Sequence, residues 1–424
     1  MERYQYDLSH FSFVPFDIGR LQTLTVIPVV GGDSFALNYR AVARLSPLRR
    51  GLTLDAQVDL FAFYIPYRHI YGDDWIDFIK DGVDESITLT SGPAVGDHRY
   101  LGARIELASG NYPLWLVGGY NQIWNRYFRA PTDSASERTL TQLETGGSRA
   151  ALYGVLCGRL KTPWSTGIEG EPVAADKEVT VTAGQLDIID LEQAQQRYRT
   201  EEERAFFATR YTDVLEQQYG GFANPDADQR PTLLMRQKNT LSGYDVDGTA
   251  DANLGQFSGK SAATVGLNLP PRYMPEHGTI WIMGLTRFPT VNVRETHYLF
   301  SRPNPDYIDI TGEPDLVQAQ PPMTALGSDW FTGGTSQDYG QIPYGQWFRH
   351  HPNYVHENFE GLQGFPFDAG IPSDATEARY IKSSEYSAAF SSDQLGNGHY
   401  VARVGCAVKR VTPTAASSIF AGAS

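Results

Sequence analysis

Residues 44–82 read RLSPLRRGLTLDAQVDLFAFYIPYRHIYGDDWIDFIKDG, and three elements follow one another in them without slack. Ser46 to Gly51 is a turn carrying two adjacent cations, Arg49 and Arg50. Leu54 to Ile65 has the period-two pattern of a strand: Leu54, Ala56, Val58, Leu60, Ala62 and Tyr64 share one face. The other face begins polar, with Asp55, Gln57 and Asp59, and turns apolar at Phe61, Phe63 and Ile65. The strand therefore starts half-exposed and ends covered on both sides. Pro66 stops it, Asp73 stands where a helix N-cap belongs, and Trp75, Ile76 and Ile79 form one stripe before Gly82. A strand that dives under cover and leaves into a capped helix is the spine of a large β domain.

Working outward, Leu21 to Val30 is a Thr/Val/Ile-rich strand ended by Gly31-Gly32. Ser34 to Leu45 alternates cleanly, with Phe35, Leu37, Tyr39, Ala41, Ala43 and Leu45 on one side and Asn38, Arg40 and Arg44 on the other. Residues 1–20 read as a mixed, aromatic N-terminal arm, ordered only if something receives it. A chain lacking Met1 to Gly19 is expected to fold and to assemble poorly. Residues 21–424 read as a single domain, interrupted by an insertion of loops and helices over about 84–275. Within that insertion helices are predicted over 114–128, 188–198 and 200–218; the second-last starts at Ile188, and the last opens with the capping box Thr200-Glu203. Phe206 and Phe207 lie on the apolar face of that last helix. Strands resume over Ile280 to Phe288 and Val293 to Phe300, and residues 301–345 form a Pro/Gly-rich loop. The final strand, His399 to Val411, sets Tyr400, Ala402, Val404, Cys406 and Val408 against Arg403 and Lys409. Early and late strands separated by long excursions make a mainly β fold, an antiparallel sandwich of jelly-roll type.

Composition narrows the function. The 424 residues carry a formal net charge of −14, which does not favour nucleic acid or anionic membrane by bulk attraction. Two cysteines, Cys157 and Cys406, do not make a disulfide framework, and no segment resembles a signal sequence or a membrane span. A soluble cytoplasmic product is expected.

No P-loop, dinucleotide-binding glycine run, nucleophile elbow or CxxC pair occurs. His350, His351, His356 and Glu357 cluster, but adjacent histidines project to opposite faces of a strand, unlike the alternate histidines of a cupin metal site. Asp245, Asp247 and Asp251 form a weak cation candidate that lacks the remaining ligands of a calcium loop; a turn with Asp side chains on local backbone is favoured. Asp73, Asp74 and Asp77 are helix-cap and dipole residues. Arg44, Arg49 and Arg50 are candidates for nucleic-acid or interface contact, and Phe206 and Phe207 for intersubunit packing. No catalytic residue, metal ligand set or cofactor is assigned. A jelly-roll carbohydrate-binding protein and a cupin-like metalloenzyme are the rival classes.

Several blocks in fixed order carry a family resemblance: DLSHF and IGRL at 7–21, GDSF at 32–35, RLSPLRRGL at 44–52 and VDLFAFYIPYRHIYGDDWIDFIKDGV after it. They continue with TEEERAFFATRYTDV at 200–214, SGYDVDGT at 242–249, LGQFSG at 254–259, PEHGT at 275–279 and GLQGFPF at 361–367. In these the chain resembles the major capsid proteins (protein F) of the phiX174-like microviruses. The resemblance implies an eight-stranded viral jelly roll with long insertions and no catalytic activity. It implies a T=1 shell of sixty copies, built through pentamers around a circular single-stranded DNA genome. The implied partners are a spike protein, internal and external scaffolding proteins and a small basic DNA-binding protein, with no membrane. The implied location is the virion, assembled in the host bacterial cytoplasm. Charge agrees: a shell of subunits at −14 each cannot enclose a polyanion without cations from elsewhere.

Overall fold

The computed structural model describes residues 3–48, 55–81, 88–92, 101, 112–129, 137–142, 230–242, 261–288, 297–300, 303–314 and 396–411. It also describes short pieces at 192, 195, 197, 291–292, 316, 323–325, 341–343, 348, 367–368 and 390. The chain runs β1 (Tyr4–Asp7), β2 (His10–Phe16), β3 (Leu21–Val29), β4 (Ser34–Leu45) and β5 (Ala56–Pro66). Helices α1 (Arg68–Tyr71), α2 (Asp73–Asp81) and α3 (Leu114–Tyr127) follow, then β6 (Thr232–Leu241), β7 (Ala262–Tyr273) and β8 (Gly278–Arg287). Beyond β8 lie β9 (Val291–Asn292), α4 (Tyr307–Thr311), β10 (Met323–Ala325), β11 (Gln341–Pro343) and β12 (Phe367–Asp368), and β13 (Gly398–Arg410) comes last.

Two antiparallel sheets make the sandwich. One has the order β1-β13-β4-β7, with β2 lying end to end with β1 along β13; the other is β3-β8-β5-β6. The pairing is nested: β1 and β2 with β13, β3 with β8, β4 with β7 and β5 with β6. First strand meets last, second meets second-last, and so inward. That nesting, with the chain crossing between sheets, is a jelly roll.

The core is the set of alternate residues that the two sheets turn toward each other. Phe35, Leu37, Tyr39, Tyr400, Val404 and Val408 enter from the first sheet, and Val58, Leu60, Ile280 and Ile282 belong to the second; all are buried. The turns between strands are tied to distant chain. Gly32 adopts φ 91°, a left-handed conformation that suits glycine, and closes the β3–β4 turn. Beside it the buried Asp33 carboxylate accepts the Val30 N–H (2.9 Å) and ion-pairs with Arg410 at the end of β13 (2.8 Å). The Ile18 N–H donates to Asn397 Oδ1 (3.0 Å), locking the start of β3 to the entry of β13.

Several sequence expectations change here. Residues 1–20 were expected as an arm awaiting a receiver; the receiver is β13 of the same chain, and β1 and β2 form the sheet edge. Strands β6 and β7 fall inside the stretch read as an insertion to residue 275, so the interruption ends at Thr232. Both are edge strands, half-exposed, and β7 carries Pro270 and Pro271, which a strand tolerates only at an edge. Their hydrophobic signal is correspondingly thin. Residues 301–345 contain α4, β10 and β11 rather than loop alone. Of the strand expected over Val293 to Phe300, residues 298–300 form a 3-10 turn and 293–296 lie outside the described residues. Of the helix predicted over 188–198, the described residues 192, 195 and 197 are helical, and the helix predicted over 200–218 lies wholly outside the described residues.

The half-exposed face expected of β5 also differs in one place. Asp59 is fully buried, and its Oδ2 lies 3.2 Å from Arg236 and 3.0 Å from Arg287. The arginines come from the flanking strands β6 and β8, which sequence periodicity within β5 could not show. Both cations reach solvent while the carboxylate does not. Asp59→Ala is therefore expected to cost about 1–3 kcal/mol. Arg236→Ala should cost under about 1 kcal/mol because Arg287 still pairs the carboxylate. Chemical denaturation of the two variants checks this; equal losses would contradict it.

Candidate assembly and nucleic-acid surface

The two sheets differ in what covers their outward faces. The second sheet is sealed by α3. Its strand β5 turns Phe61 and Phe63 outward, where they meet Phe128 at 5.3 Å and Tyr127 at 4.9 Å between ring centroids. Tyr120 donates its hydroxyl proton to the Leu21 carbonyl (2.7 Å). Gly119 lets the helix approach: a Cβ there would stand 2.7 Å from the Trp281 ring. The apolar turn at Phe61, Phe63 and Ile65 that the sequence shows is thus the footprint of α3.

The first sheet has no such lid among the described residues, and its outward side chains are exposed or half-buried. On β2 these are Phe11, 67% exposed, and Phe13, 71% exposed. On β13 they include His399, Val401, Arg403 and Lys409, and on β4 they include Asn38, Arg40 and Arg44. Register sets them in ranks across the sheet. Phe13 stands opposite Val401, which stands opposite Val42; Phe11 stands opposite Arg403, which stands opposite Arg40. Arg44 pairs across to His399 at the neighbouring rank. Arg40 donates through Nε to Asn38 Oδ1 (3.1 Å). Beside these ranks the sheet surface sinks into a trough of about 580 Å³, lined by Asn38, Asn268, Gly405, Ala407, Ala36 and Asp7 among others. Asp7 is the acidic residue of these outward positions; the Ser9 hydroxyl and backbone N–H, with Arg403 nearby, hold its carboxyl below the usual carboxylate range.

A second exposed feature lies at the exit of β5. Gly72 at φ 61° breaks α1 from α2, so Asp73 is the first helical residue of α2, not a cap outside it. The stripe of Trp75, Ile76 and Ile79 does not enter the core. Trp75 packs with Tyr67 (5.0 Å) and Phe78 (5.7 Å), while Ile79 is 50% exposed.

Of the residues singled out from sequence, Arg44 joins the exposed cationic face. Arg49, Arg50, Phe206, Phe207, Asp245, Asp247 and Asp251 lie outside the described residues, as do Cys157, His350, His351, His356 and Glu357. Among the described residues no group of three or more His, Cys, Asp or Glu converges, and no helix is long and apolar enough to cross a membrane. Burial pushes the Cys406 thiol up to about 12, so that thiol is protonated and inert at neutral pH. Phe11, Phe13 and Arg403 were not singled out from sequence. The alternation of HFSFVPF and YVARVGCAVK carried the signal, but not the fact that the two strands are neighbours.

A family described as "Capsid protein (F protein)" matches residues 1–183 and 166–420. The chain is 40% identical over 428 residues to capsid protein F of Enterobacteria phage phiK, covering 99% of this chain and 97% of that one. It is 39% identical over 427 residues to capsid protein F of Escherichia phage alpha3 and 38% identical over 423 residues to that of Escherichia phage G4, with 99% and 97% covered in both. Nested jelly-roll pairing and near end-to-end correspondence together place the chain in the microvirus capsid protein F family, a family of structural proteins and not of enzymes.

Proposed function

We propose that the protein is the major capsid subunit of a microvirus, assembling through pentamers into a T=1 shell of sixty copies around a circular single-stranded DNA genome. The observation that carries this is the match to capsid protein F along almost the whole chain. A sandwich whose described residues seal one face and leave the other open supports it, because a shell subunit needs a rigid body and surfaces left for neighbours. Each contact can be modest, since closure of a symmetric shell multiplies it. At −14 per subunit the wall repels DNA in bulk, so packaging needs a small basic DNA-binding partner and local cations. Arg44, Arg49 and Arg50 are proposed as such local or interface contacts, and Phe206 and Phe207 as intersubunit packing. The remaining proposed partners are the spike protein and the internal and external scaffolding proteins. The site of action is the virion, assembled in the bacterial cytoplasm.

Electron microscopy of the chain coexpressed with the scaffolding proteins of its own phage tests this. Uniform icosahedral particles are expected; dispersed monomers with the partners present would overturn the reading. Charge reversal at Phe206 and Phe207 should stop pentamer formation, and normal pentamers from that variant would remove those two residues from the interface.

A further inference from the structure

We infer that the open face of the first sheet is a stacking platform for single-stranded nucleic acid, with bases on Phe11 and Phe13 and phosphates on Arg40, Arg44 and Arg403. This rests on the proposed capsid function and specifies where the subunit meets its genome. Phe11 and Phe13 are, with Phe300, the three most exposed aromatic side chains among the described residues, and they alone of the three stand on a strand of this sheet. They project from the same side of β2, about 6.8 Å apart along the strand, which leaves room for one unstacked base on each. Neither has a ring partner from its own sheet to hold it, and exposure of this degree costs a monomer solubility unless something is received.

Charge selects the occupant. The outward positions of β4 and β13 carry Arg40, Arg44, Arg403 and Lys409, and Asp7 on β1 is the carboxylate facing them. The chain as a whole is at −14, so this face runs against the average. A groove of cations that tracks a backbone, interleaved with aromatic rings, is the arrangement that binds single strands without reading sequence. Arg403 lies directly opposite Phe11, and Arg40 next to Arg403, so a cation flanks the ring on which a base would stack. The trough beside them presents the Asn38 and Asn268 amides over a floor of Gly405 and Ala36. Amides in a shallow trough can hydrogen-bond a base edge. Asp7 marks one end of the platform, since its charge repels phosphate.

The test uses the purified full-length chain and a fluorescein-labelled twenty-nucleotide oligo-dT, titrated by anisotropy across salt concentrations. Phe11→Ala with Phe13→Ala should weaken binding by about 10- to 100-fold and leave the salt dependence unchanged. Phe11→Tyr with Phe13→Tyr should restore it, because both rings stack. Arg40→Gln with Arg403→Gln should instead flatten the slope of log affinity against log salt by about 1.4. These positions are exposed, so thermal melts should match the parent chain. Absence of oligo-dT binding by the parent chain, or parental affinity in both the alanine and glutamine variants, overturns the inference. Loss of particles from the alanine variant with unchanged oligo-dT affinity makes the face a subunit interface; that outcome overturns the platform and leaves the capsid function standing. Failure of the parent chain to form particles when coexpressed with the scaffolding proteins of its phage overturns the capsid reading and leaves the oligo-dT comparison interpretable.

Discussion

A chain beginning at residue 20 is expected not to reach the native fold. The sequence suggests an arm that assembly needs and folding does not, whereas the pairing of residues 4–16 with β13 argues that folding needs it too. Residues 4–16 supply the strand that covers one side of β13 over its whole length, from Tyr4 opposite Arg410 to Phe16 opposite Gly398. Truncation turns β13 from an interior strand into a bare edge, paired only with β4. It also removes Phe16 and Ile18, both buried in the core. Loss of two such side chains costs about 5–10 kcal/mol, against a total stability of about 5–15 kcal/mol for a folded domain. The loss extends to the ties between Ile18 and Asn397 and between the Ser12 hydroxyl and the Leu24 carbonyl (2.6 Å). The truncated chain should express as aggregate or give a broad, early thermal transition by circular dichroism. A melting temperature within a few degrees of the full chain would show that β13 tolerates a bare edge.

Trp281→Ala should be the most damaging single substitution of the described core, lowering stability by about 3–5 kcal/mol. Trp281 is the largest fully buried side chain, central in β8, and it is the surface on which α3 rests. Its indole N–H donates to Thr279 Oγ1 (2.9 Å), so the substitution strands a buried hydroxyl as well as opening a cavity. The converse change probes the same contact. Gly119→Val would drive a side chain into the indole from the helix side and cost about 1–3 kcal/mol by overpacking. Urea titrations of both variants, followed by tryptophan emission, measure the shifts. If Trp281→Ala moves the transition by less than about 1 kcal/mol, α3 is not what seals the second sheet.

Five of the sandwich strands are legible in the chain, and each for a local reason. β3, β4, β5, β8 and β13 carry period-two alternation or an unbroken apolar run, and their observed bounds agree with the expected ones within about two residues. α3 is legible because its apolar side repeats at helical spacing. β6 and β7 are not, because edge strands bury little and alternate weakly. The short elements beyond β8 are too brief to generate a period.

The functional surface divides in the same way. That Arg40 and Arg44 share one face of β4, and that Arg403 and Lys409 share one face of β13, follows from alternation alone. Net charge, family blocks and the apolar turn at Phe61 to Ile65 are likewise properties of the linear chain. What periodicity cannot carry is adjacency between residues hundreds of positions apart. Only nested pairing brings Phe11 beside Arg403 and Arg403 beside Arg40, puts the N-terminal residues into the sheet edge, and buries Asp59 between arginines from two other strands. The physical reason is that side-chain alternation is set by each strand's own pleat, whereas partner choice is set by hydrogen bonding and core packing between strands distant in sequence.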